Sequence, residues 1–74
     1  MMTSEEILDL IDKLDLKIEE LDEQINNQQL KVNSSDGDVK ERRVMQLIEF
    51  KNEKYRINNI IKHHLDNLRK LENG

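Results

Sequence analysis

Asn33 to Glu41, NSSDGDVKE, is the one stretch where a long, charged helical pattern breaks, and its reading decides the fold. Serines, aspartates and a glycine in close succession favour turns over helix, so a single helix running through them would carry several poor helix formers together. The stretch also gathers Asp36, Asp38 and Glu41 around Gly37, a composition that invites comparison with a calcium loop. Aligning Gly37 with the glycine of an EF-hand loop puts Val32 at the first ligand position and Arg43 where the bidentate glutamate belongs. Both decisive ligands are missing. The stretch therefore reads as a helix stop, a turn and a helix start, with no metal expected.

Upstream of the turn, apolar residues fall at Ile7, Ile11, Leu14, Ile18, Leu21, Ile25 and Val32, and Gln28 fills the one vacant slot. The spacing alternates between four and three residues, a heptad seam with β-branched residues at one core position and mainly Leu at the other. Thr3 and Glu6 match a capping box, and Met2 can pack on Ile7 as a hydrophobic staple. Helix 1 is predicted over about 4–32, with Asn33 as its left-handed cap. The turn is predicted over 33–38.

Downstream, Asp38-Val39-Lys40-Glu41 carries a second capping signal, and no Gly or Pro interrupts the chain until Asn73-Gly74. Helix 2 is predicted over about 39–72. Its core stripe reads Leu47, Phe50, Lys54, Ile57, Ile61, His64, Leu68 and Leu71, widened by Val44 and Leu65. A short turn between two such helices gives an antiparallel hairpin, and setting Val32 opposite Val39 brings Leu21 near Phe50 and Ile11 near Ile61. Lys54 then lies opposite Ile18, with Asp15, Glu19 and Asp22 in reach. The chain is thus expected to be one all-α, coiled-coil-like hairpin domain over 1–74. Each helix keeps one side of its seam open, and dimerisation into a four-helix bundle would close it.

Charge supports the hairpin. Residues 1–37 carry Lys13, Lys17 and Lys31 against ten acids, a net −7, whereas residues 38–74 carry nine Lys or Arg against six acids, a net +3. Folding back lays an acidic helix along a basic one. The whole chain has 74 residues, 35% hydrophobic and 38% charged, with 3% aromatic. That balance suits solvated helices and provides too little apolar material for an enclosed catalytic pocket. There is no cysteine for a disulfide or a thiolate zinc site, so a core this small calls for support from another chain. No catalytic constellation, glycine-rich phosphate loop or cofactor motif is present, and the chain reads as non-enzymatic. It has no apolar run of the roughly 18 residues a span requires and no secretory signal at Met1–Glu6, which points to the cytoplasm.

Several residues stand out from this frame. Lys54 and Gln28 are polar residues in apolar seams, the pattern by which helical assemblies fix register and oligomeric state, although the stem of Lys54 can also lie across the seam with its ammonium in water. Neighbours in a helix point about 100° apart, so His63 and His64 cannot converge on one metal. His64 is expected in the seam near the open end and His63 in solvent. Lys40, Arg42, Arg43, Lys51, Lys54 and Arg56 form a basic run, but Glu41, Glu49 and Glu53 interrupt it and stacking aromatics are missing, so pairing with helix 1 is the expected role. Val44, Ile48 and Tyr55 form a second apolar stripe, and Leu16 and Leu30 sit on the far face of helix 1. Apart from the widening that Val44 gives the core stripe, the seam explains none of these five, and they are the candidate partner-binding residues.

These features point to a protein–protein interaction module, a homodimer acting as a regulator, inhibitor or assembly adaptor. One alternative is an RNA-binding hairpin dimer, which resembles in shape, without a shared motif, the small plasmid copy-number modulators that hold two RNA loops on a four-helix bundle. Another is a subunit of a larger coiled-coil assembly.

Overall fold

The computed structural model describes residues 2–73 and contains two α-helices, α1 (Ser4–Asn33) and α2 (Gly37–Asn73). They pack against each other as a hairpin measuring 56 × 16 × 14 Å. No helix among the described residues is long and apolar enough to cross a membrane.

Thr3 is the N-cap of α1, and its hydroxyl accepts from the Glu6 backbone N–H at 3.2 Å. The expected box differs in one detail. The Glu6 carboxylate does not reach back to the Thr3 backbone; it accepts from the Thr3 hydroxyl at 3.2 Å, so one hydroxyl serves as both acceptor and donor. Glu5 and Glu6 place negative charge at the positive end of the helix, where it is favourable. Met2 and Ile7 line one groove, as a staple requires, although Met2 stays partly in solvent.

The turn is shorter than the sequence suggests. Helix α1 continues through Asn33 and α2 begins at Gly37, two residues before the predicted start at 39, leaving 34–36 between them. Asn33 does not adopt the left-handed conformation; the one positive φ among the described residues is at Gly37, at 63°. A residue with a Cβ incurs a steric penalty there that glycine avoids, which is why the chain assigns this conformation to its glycine and not to its asparagine. Asp38 is consequently displaced from the predicted cap into the first turn of α2, where its charge complements the helix dipole. At the other end α2 reaches Asn73, and Gly74, expected to end it, lies outside the described residues.

A Cβ built on Gly37 meets no heavy atom within 4 Å, so a substitution there would be strained only through its backbone. Gly37→Ala is expected to lower stability by about 1–2 kcal/mol, the cost of the left-handed region for an L-residue. Urea midpoints of wild type and variant would measure it. An unchanged midpoint would mean that the turn relaxes without this conformation.

The buried hydrophobic residues are Ile7, Ile11, Leu21, Val32, Leu47 and Ile57, with Gln28 and Ser35 as buried polar residues. Leu14, Ile18, Ile25, Phe50, Ile61, His64 and Leu68 complete the predicted seams and are half-buried. Three predicted core residues are exposed. Val39 is 52% exposed, because the turn end is closed by a polar cluster around Ser35 in place of a Val32–Val39 layer. Leu71 is 41% exposed because α2, with 37 residues, outruns α1, with 30, and its last turns have no helix opposite them. Leu65 is 43% exposed on the flank of the seam.

Candidate interaction surface

The polar side chains of the hairpin reveal how its register is held. Gln28 is 6% exposed, and its Nε2 donates to the Arg43 carbonyl and to Gln46 Oε1, each at 3.0 Å. A buried amide with both N–H groups occupied tolerates no slippage, since a shift of one residue would leave it unpaired. Setting Val32 opposite Val39 places Gln28 opposite Arg43 or Val44, and the bond to the Arg43 carbonyl agrees with that register.

Lys54 pairs with Asp22, Nζ to Oδ1 at 2.5 Å, and Asp15 and Glu19 are left to solvent. Asp22 is one turn beyond Ile18, the residue expected opposite. A helical side chain leans towards the N-terminus of its own helix, so the Lys54 ammonium reaches back to the level of Phe50, which the register sets beside Leu21 and Asp22. The two side chains are 36% and 47% exposed, so this is a rim contact bridging the helices and contributes less than ~1 kcal/mol. It is the one ion pair within 4 Å among the described residues. The acidic and basic helices otherwise face each other across solvated charges.

Arg43 performs a role the sequence reading missed. The Lys31 carbonyl, among the last of α1, accepts from Ser34 Oγ at 3.2 Å, Ser35 Oγ at 2.5 Å and Arg43 Nη1 at 3.2 Å, and Arg43 also donates to Ser35 Oγ. Orphan carbonyls at a helix C-terminus need donors, and an arginine from the next helix supplies them while pinning the turn. The signal was present as a cation close after a helix stop. It was obscured by the neighbouring Lys40 and Arg42, which made all three look like a charged surface.

His63 is exposed and His64 half-buried, with ring centroids 6.2 Å apart and planes tilted by 55°. His64 Nδ1 is buried without a hydrogen-bond partner. No three His, Cys, Asp or Glu side chains among the described residues are grouped to hold a metal ion.

The candidate partner-binding residues are placed as follows. Ile48 is 50% exposed and Tyr55 68%, while Val44, one turn before Ile48, is half-buried. Leu16 and Leu30 are 60% and 67% exposed on α1, away from the seam. Tyr55 belongs to an open groove running between the helices, lined also by Asp22, Ile25, Asn26, Lys51 and Asn58. Comparison with known protein families, with curated proteins and with solved structures finds no match to this chain. The surface therefore has to be read from its own chemistry. Met45, 66% exposed, and Ile60, 45% exposed, add apolar area that the sequence reading did not single out.

Proposed function

We propose that this chain is a non-catalytic, cytoplasmic protein–protein interaction module that works by helix-face docking, associates with itself as a four-helix bundle, and serves as a regulator, inhibitor or assembly adaptor. The observation that carries the reading is the ratio of apolar surface exposed to apolar surface buried. Eleven large hydrophobic side chains are exposed among the described residues against six in the core, so the hairpin alone leaves a large amount of apolar surface in water. Removing such area from water is the main driving force for association. A rod only 16 × 14 Å in cross-section has no interior in which to bury it.

What favours a protein partner over a nucleic acid is the fate of the basic run. Arg43 is committed to the α1 carboxyl end and Lys54 to Asp22, which leaves four cations interrupted by acids. Phosphate binding relies on free, clustered cations.

Light scattering with far-ultraviolet circular dichroism on the purified chain is expected to give a discrete helical dimer. Ile48→Asp combined with Tyr55→Ala is expected to retain helicity, since both side chains are at least half exposed, and to weaken self-association by about tenfold or more. A wild-type monomer would remove the self-association reading. Equal dissociation constants for wild type and variant would show that the docking face lies elsewhere.

A further inference from the structure

The groove side of the hairpin carries two parallel stripes of opposite character. On α1, Asp22 and Asn26 line the groove, and stepping back by alternating intervals of three and four residues adds Glu19, Asp15, Asp12 and Leu8. This edge holds four carboxylates and no cation. On α2, Lys51, Tyr55 and Asn58 line the same groove, and the same spacing adds Val44, Ile48 and Lys62. Between Val44 and Lys62 this edge holds two cations, no acid and the apolar stripe, with Glu41 one step nearer the turn. The face is about 56 Å long and 16 Å wide, so it offers on the order of 900 Å² per copy, the area of a standard stable interface.

We infer that the occupant of this face is a second copy of the chain, docked with both turns at the same end. The inference rests on the self-association proposed above and specifies its geometry. A two-fold dimer can close face to face in two ways. If the axis crosses the rods, the turns lie at opposite ends and each helix meets its own copy. The acids are centred on the middle of α1, so Asp15, Glu19 and Asp22 would then be set against the same residues of the second copy, and juxtaposed like charges of this kind oppose association.

If the axis runs along the rods, the turns lie together and α1 of each copy covers α2 of the other. The register fixed by Gln28 and Arg43 then sets Lys51 level with Glu19 and Asp22 of the second copy, and Lys62 level with its Leu8 and Asp12. Ile48 meets the half-buried Ile25 of the second copy, and Leu65 meets its Leu8. Charge and apolar surface are matched together, twice over by symmetry. The same segregation that lays the acidic helix on the basic one within a chain thus selects the arrangement between chains.

The chain has no cysteine, so a single Ser34→Cys variant, at an exposed turn position, accepts one spin label per copy. Light scattering on the labelled protein establishes its mass, and pulsed electron paramagnetic resonance gives the distance between labels. With the turns together, the distance is expected to be on the order of 20–30 Å, two or three helix spacings. A dimer with labels separated by roughly the 56 Å length of the rod would overturn this arrangement while leaving self-association intact. A monomer without an intermolecular distance would overturn both. As an independent arm, Lys51→Glu with Lys62→Glu is expected to weaken the homodimer by about tenfold or more. Mixing that variant with Asp12→Lys, Glu19→Lys, the acids level with the two lysines, is expected to restore association, since one face is then charge-swapped and the other is wild type. Lack of any restoration would count against the arrangement.

Discussion

Replacing Leu21 by Ala is expected to cost about 2–3 kcal/mol and to lower the melting temperature by ~10–20 °C. Leu21 is 2% exposed, the most completely buried large side chain of the hairpin, and lies midway along α1. Its burial removes a whole isobutyl group from water at a layer where Phe50 faces it from α2 and is itself only half-buried. Truncation takes away the transfer free energy and leaves a gap that two rigid helices cannot fully close, though a thin core relaxes more readily than a thick one, which places the cost at the lower end of the usual range. For a chain of 74 residues that loss is a large share of total stability. Leu16→Ala is the matched control, the same chemical change at a site 60% exposed on the opposite face, and is expected to stay within ~0.5 kcal/mol. Both are measured by thermal and urea unfolding at one fixed protein concentration, because association makes apparent stability concentration-dependent. Equal losses at the two positions would mean that Leu16 is also buried, in an interface, and that the single hairpin is not the unit of stability.

Leu21 also shows why most of the fold was legible beforehand. A seam of alternating three and four residues can be satisfied only by a helix lying along another helix, and a turn of serines and glycine dictates that the second helix comes from the same chain. The residues that departed from expectation lie where this periodicity stops being informative. Asn33, Asp38 and Val39 flank the turn, where the outcome depended on which residue would take the positive φ, and periodicity says nothing about that. Leu71 lies where α2 has outrun its partner, a difference in length that shows only once both boundaries are fixed. Gln28 was readable as a polar layer because it interrupts an otherwise apolar row. Arg43 was not, since its work is done on a backbone carbonyl, and carbonyls leave no mark in a sequence. For the surface, Ile48 and Tyr55 could be singled out from their spacing, whereas the acidic edge beside them emerged only when the groove placed Asp22 and Asn26 next to Lys51 and Tyr55.

Lys54→Ile with Gln28→Leu is expected to raise the melting temperature while broadening the distribution of assembled species. In the hairpin Lys54 contributes a rim ion pair whose partner Asp22 is 47% exposed, so removing the cation leaves Asp22 hydrated and incurs little penalty. An isoleucine at that seam position would instead bury its apolar side chain against Ile18 and Leu21, a gain of about 1–2 kcal/mol at the usual area coefficient. Gln28 is the harder case, because it is buried and its two bonds are lost. The Arg43 carbonyl it contacts lies within α2 and keeps its own helical partner, and Gln46 is exposed and can turn to water, so no buried group is left orphaned. Leucine there is then close to neutral or mildly stabilising. What the double variant gives up is specificity. Apolar seams without an interrupting polar residue accept sliding by one heptad, reversal of partners and larger bundles with similar energies, and a single polar layer is the device that makes one register win. Light scattering and sedimentation are therefore expected to show more than one species above the wild-type mass, alongside a higher melting temperature. A variant that melts lower yet keeps a single wild-type mass would show that Lys54 and Gln28 stabilise the hairpin without specifying its assembly. Separating the two substitutions would then identify which carries the cost, with Gln28→Leu the expected culprit because its amide is the more deeply buried.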